Sequence, residues 1–403
     1  MKPDTFLESV RFRSLLTFGP SSEPVPLESL NVVIGANGAG KSNFLSLLGL
    51  LGGTVGDFQA PVLAGGGGPE WIHKSRKDGS VSSIRAVVRI KDERFIHELK
   101  LRQSNGRLLV DSEIVTFDAQ NESGDLLLRS DSRGVWAKRG PYQEGNLGFA
   151  SESEAELSDR GYQVLSRQNL GNSVLSEIGH LSDLHGLDKL RTFYDGVRLY
   201  GAGDFSPGGP ARMPQTIGLN ENRLEPDLSN LMNVVVGIRR LPERLDAVLA
   251  RLRQVNPRIE SVDIDSAGTY LQLVFREDGK IRTPAARLSE GTLRLLTLLA
   301  AIHQSAEPTV LCFEEPETGL HPDAIGEMVR ILLDASKRTQ VVVTTHNEKL
   351  VSALTGQPEV ILIADIDEEG TRLRRLESDD LAVWLEDYSL GDLWASGQIG
   401  GVL

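Results

Sequence analysis

The chain has 403 residues, too many for one compact core, and its 40% hydrophobic and 25% charged content is that of a globular protein. Its net charge of −13 excludes a broadly basic surface that coats nucleic acid, although a local basic groove remains open. One cysteine, Cys312, excludes an internal disulfide and a cysteine-rich metal site, and its apolar neighbours predict a core position. With neither a signal-peptide core nor roughly 18 consecutive apolar residues, we expect a cytoplasmic protein without a membrane partner.

The first predicted elements lead into a glycine-rich loop. Alternating runs at 9–16 and 27–34 predict strands, and an apolar helix is expected from Asn43 to Leu51. Between them, Gly35 to Ser42 fits the pattern G-x-x-x-x-G-K-[S/T], in which bare backbone lets successive N–H groups point at a phosphate. A simple glycine turn is the alternative, but it gives the lysine and serine no role. We predict that the phosphates of a nucleotide contact Asn37, Gly38, Ala39, Gly40, Lys41, Ser42 and Asn43, with Lys41 on the outer phosphates and Ser42 on Mg²⁺.

The middle of the chain is predicted to be an insertion. After a flexible connection at 65–68, β-rich runs between 80 and 128 predict an antiparallel arm. A mobile loop is expected at 131–158, helical structure at 163–194 and irregular backbone at 201–218. Helices are then predicted from Leu228 to before Pro242 and from there to Val255, followed by strands at 259–265 and 269–276. After Pro284, strands and helices alternate to about Ile366, which indicates a parallel α/β sheet.

Two adjacent glutamates end one strand of this α/β block. The apolar run 310–313 predicts a buried strand, and Glu314 and Glu315 follow at its C-terminal end, where ligands bind in such sheets. We predict that Glu314 lies on the metal side and that Glu315 polarises the water that attacks the γ-phosphate. A pair of ordinary surface charges is the alternative.

Two further motifs flank the glutamates in the sequence. Ser289 and Gly291, in "LSEGT", precede a helical run and offer a hydroxyl and free N–H groups for a second nucleotide contact; a plain N-cap is the alternative. His346 follows a β run in "VVVTTHN" and can reach a γ-phosphate or the attacking water, although a structural histidine is the alternative.

Together, these motifs resemble those of a known group of ATPases. The order of motifs is that of ABC-type ATPase heads, and "FEEPETGLHP", "LSEGT", "TTHN" and "VRFRSLLTF…LNVVIGANGAGKSNFL" resemble the AAA-type ATPases of the RecF, SMC and OLD-like group. The resemblance implies an α/β, ABC-type P-loop head with a mixed or parallel sheet core, an antiparallel β arm and an inserted helical lobe. It implies a first part of the head at 1–75, the arm and lobe at 76–225, and the second part of the head at 226–403.

The resemblance also implies an assembly. In this group two heads bind two ATP molecules head to tail, so Ser289 and Gly291 would contact the γ-phosphate held by a second copy, which implies an ATP-dependent homodimer. Glu314 stands where an aspartate is usual, and Glu290 stands where transporters have glycine. Gln59 is the nearby candidate for a glutamine that senses Mg²⁺.

The function we expect is an ATPase switch that couples hydrolysis to DNA or to an effector protein, in DNA repair or anti-phage defence. Only 57 residues follow His346, too few for a nuclease domain, so a nuclease would be a separate protein. A slow ATP-dependent scaffold is one alternative. A transporter subunit is another, disfavoured because 246 positions separate Ser42 from Leu288.

The helix predicted after Pro242 is the candidate contact for DNA. Arg244 and Arg251 share a face, with Arg239, Arg240 and Arg253 nearby; a solvated helix face is the alternative.

Overall fold

A computed structural model describes residues 3–74, 81–117, 125–131, 134–138, 162–165, 171–177, 184, 186–279, 281–381 and 383–400. The chain divides into two compact units. The first unit comprises 1–29, 36–197 and 363–374, and the second comprises 30–35, 198–362 and 375–403. The boundaries expected from the sequence, near 75 and 225, stay predictions.

The first unit is built on an eight-stranded antiparallel sheet in the order β2-β1-β4-β5-β6-β7-β8-β9. Its long strands alternate buried and exposed residues, as expected for a sheet with one face on a core. The predicted antiparallel arm is therefore confirmed. The strands are β1 Thr5–Arg13, β2 Val25–Pro26, β4 Ser82–Ile90, β5 Glu93–Ser104, β6 Arg107–Phe117, β7 Asp125–Asp131, β8 Gly134–Lys138 and β9 Tyr162–Leu165.

The helices of the first unit are α1 Lys41–Gly53, α2 Gln59–Ala64 and α3 Leu187–Asp195. The helical structure predicted at 163–194 is thus wrong at 163–165, where the backbone pairs with β8, and among the described residues it is confirmed for α3 and for a short 3₁₀ helix, Val174–Ser176. The mobile loop predicted at 131–158 is wrong at 134–138, which forms β8, and its part from 139 to 158 lies outside the described residues.

The glycine run at 65–68 is more than a connection. A short 3₁₀ helix follows from Gly68 to Trp71, and a Cβ atom on Gly68 would lie 2.5 Å from the backbone carbon of Arg107. Gly68 is therefore needed for the close approach of this segment to the arm.

The second unit contains two sheets. In the first, the strand order is β10-β15-β16-β3-β17, and β16 pairs in parallel with both β15 and β3. The predicted parallel sheet is confirmed there. Its strands are β3 Leu30–Gly35, β10 Val197–Tyr200, β15 Val310–Glu314, β16 Gln340–Thr344 and β17 Ile361–Asp367, and β17 runs on into the first unit, where β18 Gly370–Arg375 follows.

The other sheet is antiparallel and carries β13 between β11 and β12, with β14 also paired to β13. Its strands are β11 Gln215–Thr216, β12 Ile259–Ala267, β13 Tyr270–Glu277 and β14 Ile281–Pro284. The helices of this unit are α4 Leu231–Arg239, α5 Pro242–Val255, α6 Glu290–His303, α7 Ile325–Ala335, α8 Glu348–Ser352, α9 Ser378–Leu381 and α10 Leu390–Ala395. Helices α4 and α5 meet at Pro242, which starts α5 as predicted, since proline fits the first turn.

The central strands of the parallel sheet are buried and mostly apolar. Residues 310–313 are buried, Cys312 completely so, and burial raises the pKa of its thiol to about 12. The predicted core role of Cys312 is confirmed. Within the described residues, no helix is both long and apolar enough to cross a membrane.

A buried polar cluster ties the arm to α3 in the first unit. His97 on β5 lies 3.0 Å from the Tyr194 hydroxyl through Nδ1 and 3.0 Å from Glu113 Oε1 on β6 through Nε2. Glu113 also accepts hydrogen bonds from Ser173 Oγ at 2.7 Å and from the Val174 backbone at 2.6 Å. Burial, together with the charge of Glu113, raises the pKa of Tyr194 well above its usual value. Glu113 is thus the common acceptor of the cluster.

Replacing this acceptor should destabilise the protein. We expect Glu113→Ala to lower the free energy of unfolding by about 3 kcal/mol, because buried donors lose their partner. The measurement is chemical denaturation. The matched control is Glu98→Ala, whose ion pair with Arg85 is partly exposed and should cost less than about 1 kcal/mol. Equal losses in both variants would contradict a central role for Glu113.

Candidate nucleotide-binding site

The glycine-rich loop joins the end of β3 to the start of α1. Gly38 and Gly40 have φ angles of 79° and 96°, which L side chains rarely adopt. A Cβ atom on Gly40 would lie 2.2 Å from Thr371 Oγ1 and 2.6 Å from Thr17 Oγ1. Around Gly38, in contrast, no atom of the described residues lies within 4 Å of that position. Gly40 is therefore packed on its neighbours, while Gly38 borders open space.

Two threonines hydrogen-bond to the loop and to the first turn of α1. Thr371 Oγ1 donates to the Ala39 carbonyl at 2.9 Å and lies 2.7 Å from Thr17 Oγ1, which accepts from Asn43 Nδ2 at 3.1 Å. Neither threonine was predicted from the sequence, because they stand 354 residues apart and belong to no local motif. They fix the loop and the first turn of α1 together.

The start of α1 suits an anion. Gly40, the residue before the helix, has no side chain to cap it, and the first turn carries no acidic residue. The positive end of the helix dipole thus remains for a negatively charged ligand. Lys41 is 5% exposed and its Nζ donates to the Ala36 carbonyl at 2.8 Å, while Ser42 is exposed. The ammonium group therefore lies across the loop that would hold phosphates.

A cavity of about 500 Å³ lies within the first unit, and no residue of the loop itself lines it. Thr371, whose hydroxyl donates to the Ala39 carbonyl of the loop, lines this cavity together with Arg372, Ser21 and Ser22. Its size suits a nucleoside or a similar small molecule.

In the second unit, three parallel strands end at a common edge. Glu314 is the register partner of Thr344, and Thr344 is the partner of Val33. Glu315 follows with a φ angle of 43°, an uncommon conformation for a side chain of its kind, held by a hydrogen bond from its backbone N–H to the Thr344 carbonyl at 3.1 Å. His346 Nε2 lies 3.4 Å from Glu315 Oε1, and both side chains remain partly exposed. The fold thus brings the predicted glutamate and histidine together where water can reach them.

Glu314 lies at the last position of β15 and is partly exposed. Among the described residues, no group of three or more His, Cys, Asp and Glu side chains is arranged to hold a metal ion. Mg²⁺ that binds together with a nucleotide takes only one or two protein oxygens, besides phosphates and water. Ser42 and Glu314 are the residues that we predict to supply those oxygens.

The "LSEGT" segment forms the exposed start of α6. Ser289 Oγ accepts from the Thr292 backbone at 3.1 Å, so the hydroxyl is an N-cap, which was the simpler interpretation. A Cβ atom on Gly291 would lie 2.8 Å from the Gly319 carbonyl, in the loop that follows the glutamates. Glu290 forms an ion pair with Arg294 at 2.8 Å. Gly291 is therefore required for packing, while Ser289, the N-cap residue, is exposed.

Gln59, the candidate Mg²⁺ sensor, contacts the arm. Its Nε2 donates to the Leu108 carbonyl at 2.7 Å, and its Oε1 is buried without a hydrogen-bond partner in the described part of the chain. Its role as a sensor stays a prediction.

The five arginines on and around α5 all bond within the second unit. Arg251 Nη1 lies 2.8 Å from Glu327 Oε1 on α7, and Glu327 is 3% exposed. These contacts tie the arginines to other elements of the second unit, although Arg239, Arg240 and Arg253 are exposed, and the contact with DNA stays a prediction. The pairs are Arg239 with Asp263, Arg240 with Glu221, Arg244 with Glu307 and the carbonyls of His303 and Gln304, Arg251 with Glu327 and Asp334, and Arg253 with the carbonyls of Ile259 and Glu260.

The fold and the loop define an ABC-type P-loop ATPase head. Solved SMC head domains share this fold. An SMC head bound to the C-winged helix domain of ScpA matches with a TM-score of 0.55 and 14% identity, over 93% of this chain and 99% of that chain. An Smc head with an extended coiled coil, bound to the C-terminal domain of ScpA derived from Pyrococcus furiosus, matches with a TM-score of 0.52 and 10% identity, over 95% and 99%.

A family model narrows this class. The family described as "AAA domain, putative AbiEii toxin, Type IV TA system" matches residues 30–352, which is more than half of the chain. The chain belongs to this family of AAA domains. The matched range includes the phosphate loop, the two glutamates and His346.

The two loop glycines should respond differently to alanine. We expect Gly38→Ala to lower the free energy of unfolding by about 1 to 2 kcal/mol, the cost of the left-handed backbone alone. Gly40→Ala should cost clearly more, because its new methyl group would also overlap the hydroxyls of Thr371 and Thr17. Denaturation of the nucleotide-free proteins measures both. A Gly40→Ala protein as stable as Gly38→Ala would contradict the packing described.

Proposed function

We propose that the protein is an ATPase switch of the RecF, SMC and OLD-like group, which binds ATP with Mg²⁺ at the 35–43 loop. The observation that carries this proposal is the pair of Glu315 and His346, 3.4 Å apart at the edge where β15 and β16 end. A carboxylate with a histidine at the end of parallel strands is suited to orient a water and to meet a γ-phosphate.

Each residue has a role in this proposal. Lys41 exchanges the Ala36 carbonyl for the outer phosphates, and the N–H groups from Asn37 to Asn43 bind them at the start of α1. Ser42 and Glu314 would hold Mg²⁺, which would neutralise phosphate charge. Glu315 accepts the proton of the attacking water, and His346 contacts the γ-phosphate. The cavity beside Thr371 accommodates the nucleoside.

The switch acts as an ATP-dependent homodimer. Ser289 is exposed at the start of α6, so a second copy can approach it. In the proposed head-to-tail dimer, Ser289 and Gly291 of one copy contact the γ-phosphate held by the other. Closing on ATP and opening after hydrolysis would then give two states that a partner can distinguish.

The switch engages a separate effector protein, such as a nuclease, in the cytoplasm. Two observations support a protein partner over DNA at α5: its arginines are bonded internally, and the SMC heads of the same fold were solved with ScpA domains bound. The role proposed for this switch is in DNA repair or anti-phage defence. DNA would then be contacted elsewhere or through the effector.

A slow, scaffold-like enzyme is the second candidate. Glu314 carries one more methylene than an aspartate at this position and so places its oxygens differently around Mg²⁺. Turnover measurements decide between the two candidates.

Substitutions should separate binding from hydrolysis. We expect Glu315→Gln to lower kcat for ATP hydrolysis by about 10²- to 10⁴-fold with little change in ATP affinity, because the amide cannot accept the proton. Lys41→Ala should weaken ATP binding itself. Steady-state hydrolysis and binding of a fluorescent ATP analogue measure the two effects.

The control for these variants is Glu307→Gln, a change of the same chemistry at a glutamate whose side chain is 81% exposed. It should leave kcat unchanged. If Glu315→Gln behaves like this control, Glu315 is not the catalytic glutamate.

Mixing two inactive variants tests the shared site. Lys41→Ala removes the ammonium group that would bind the phosphates. Ser289→Arg blocks the contact that one copy makes with the ATP held by the other. Each variant alone should therefore be inactive. In a mixed head-to-tail dimer one site has both intact parts, and an equimolar mixture should regain about a quarter of wild-type hydrolysis per protomer. A mixture as inactive as its components would contradict the shared site.

A further inference from the structure

A second buried carboxyl group lies behind the proposed catalytic pair. Glu317, two residues after Glu315, is only 7% exposed. Its Oε1 accepts a hydrogen bond from the Thr345 hydroxyl, and its Oε2 is buried without a hydrogen-bond partner among the described residues. Such a group is costly to bury, so its presence beside the site needs a reason.

The Thr345 hydroxyl organises the segment that carries His346. Besides donating to Glu317, Thr345 Oγ1 accepts from the Asn347 backbone N–H at 2.9 Å. Asn347 in turn caps α8 by accepting from the Lys349 backbone at 2.9 Å. These bonds therefore hold the residues on both sides of His346.

The surroundings of Glu317 raise the pKa of its carboxyl group. Burial raises the pKa of its carboxyl above the usual value, and the charge of Glu315 adds to this effect, against hydrogen bonds that oppose it.

We infer that Glu317 is a positioning residue for hydrolysis, which holds the Thr345 hydroxyl and thereby keeps His346 within reach of Glu315. This inference rests on the proposed ATPase function. Glu317 contacts neither nucleotide nor water in this role. It acts through Thr345, by fixing the segment 345–347 against the end of β16.

Replacement by glutamine should therefore lower kcat strongly at Glu315 and largely preserve it at Glu317. The Oε1 of a glutamine can still accept from the Thr345 hydroxyl, so Glu317→Gln should keep kcat within about 3-fold of the wild type. Glu317→Leu removes the hydrogen-bond acceptor, and Thr345→Val removes the donor. Each substitution should lower kcat about 10- to 100-fold at unchanged ATP affinity. Thr345→Ser, which keeps the hydroxyl, should retain activity.

The control is another buried carboxylate of the same unit. Glu327 is 3% exposed and bonded to Arg251 and Arg330, away from the proposed site residues in sequence. Glu327→Gln should lower thermal stability and leave kcat unchanged. A loss of kcat in Glu327→Gln as large as in Glu317→Leu would show a general effect of core damage and overturn the inference.

Two further results would overturn it. One is a Glu317→Gln protein as inactive as Glu315→Gln, which would make Glu317 a charged catalytic group. The other is full activity of Thr345→Val. If Glu317→Leu fails to fold, the comparison of Thr345→Val with Thr345→Ser gives the same decision.

A measurement made in the absence of nucleotide tests this inference independently of the proposed function. The ring signals of His346, followed by NMR through a pH titration, should coincide in wild type and Glu317→Gln and shift in Thr345→Val. If the wild type hydrolyses no ATP but these signals shift as expected, the proposed function fails and the positioning role stands. Unchanged signals in Thr345→Val would refute the positioning role even in an active ATPase.

Discussion

The parallel pairing of β16 with β15 on one side and β3 on the other is the constraint on which the second unit's site depends. The register sets Glu314 opposite Thr344 and Thr344 opposite Val33, so the ends of three strands coincide. The glutamates at the end of β15 and the histidine segment after β16 therefore share one edge of the sheet. A shift of one residue in this register would turn these side chains to the opposite face and separate Glu315 from His346.

The polar groups around this edge are positioned by hydrogen bonds that would take no part in hydrolysis. The Thr344 carbonyl holds the backbone of Glu315, and the Thr345 hydroxyl joins Glu317 to Asn347. In the first unit, Thr17 and Thr371 fix the phosphate loop in the same way. In both units, the residues that would meet a ligand are oriented by neighbours that need not touch it.

Local motifs could be predicted from the sequence, because their function needs residues at fixed spacing. The glycine loop, the carboxylate pair and the strand before His346 are of this kind. The residues that hydrogen-bond to these motifs could not be predicted from the sequence. Thr371, for example, lies 332 residues from Ala39, and only the fold brings the two together. Strand β9 was missed because pairing with β8 decides its conformation, and its leucine-containing sequence also fits a helix. The arginines of α5 have a helical spacing that is the same for a DNA contact and for internal ion pairs, so their acidic partners had to be located in the fold.

Central to the proposed function is that ATP joins two copies of this chain. The most direct test is the mass of Glu315→Gln in solution, measured by light scattering with and without ATP and Mg²⁺. We expect a single protomer of 44.0 kDa without nucleotide and twice that mass with it. The same mass in both conditions, although ATP is bound, would contradict the ATP-dependent dimer.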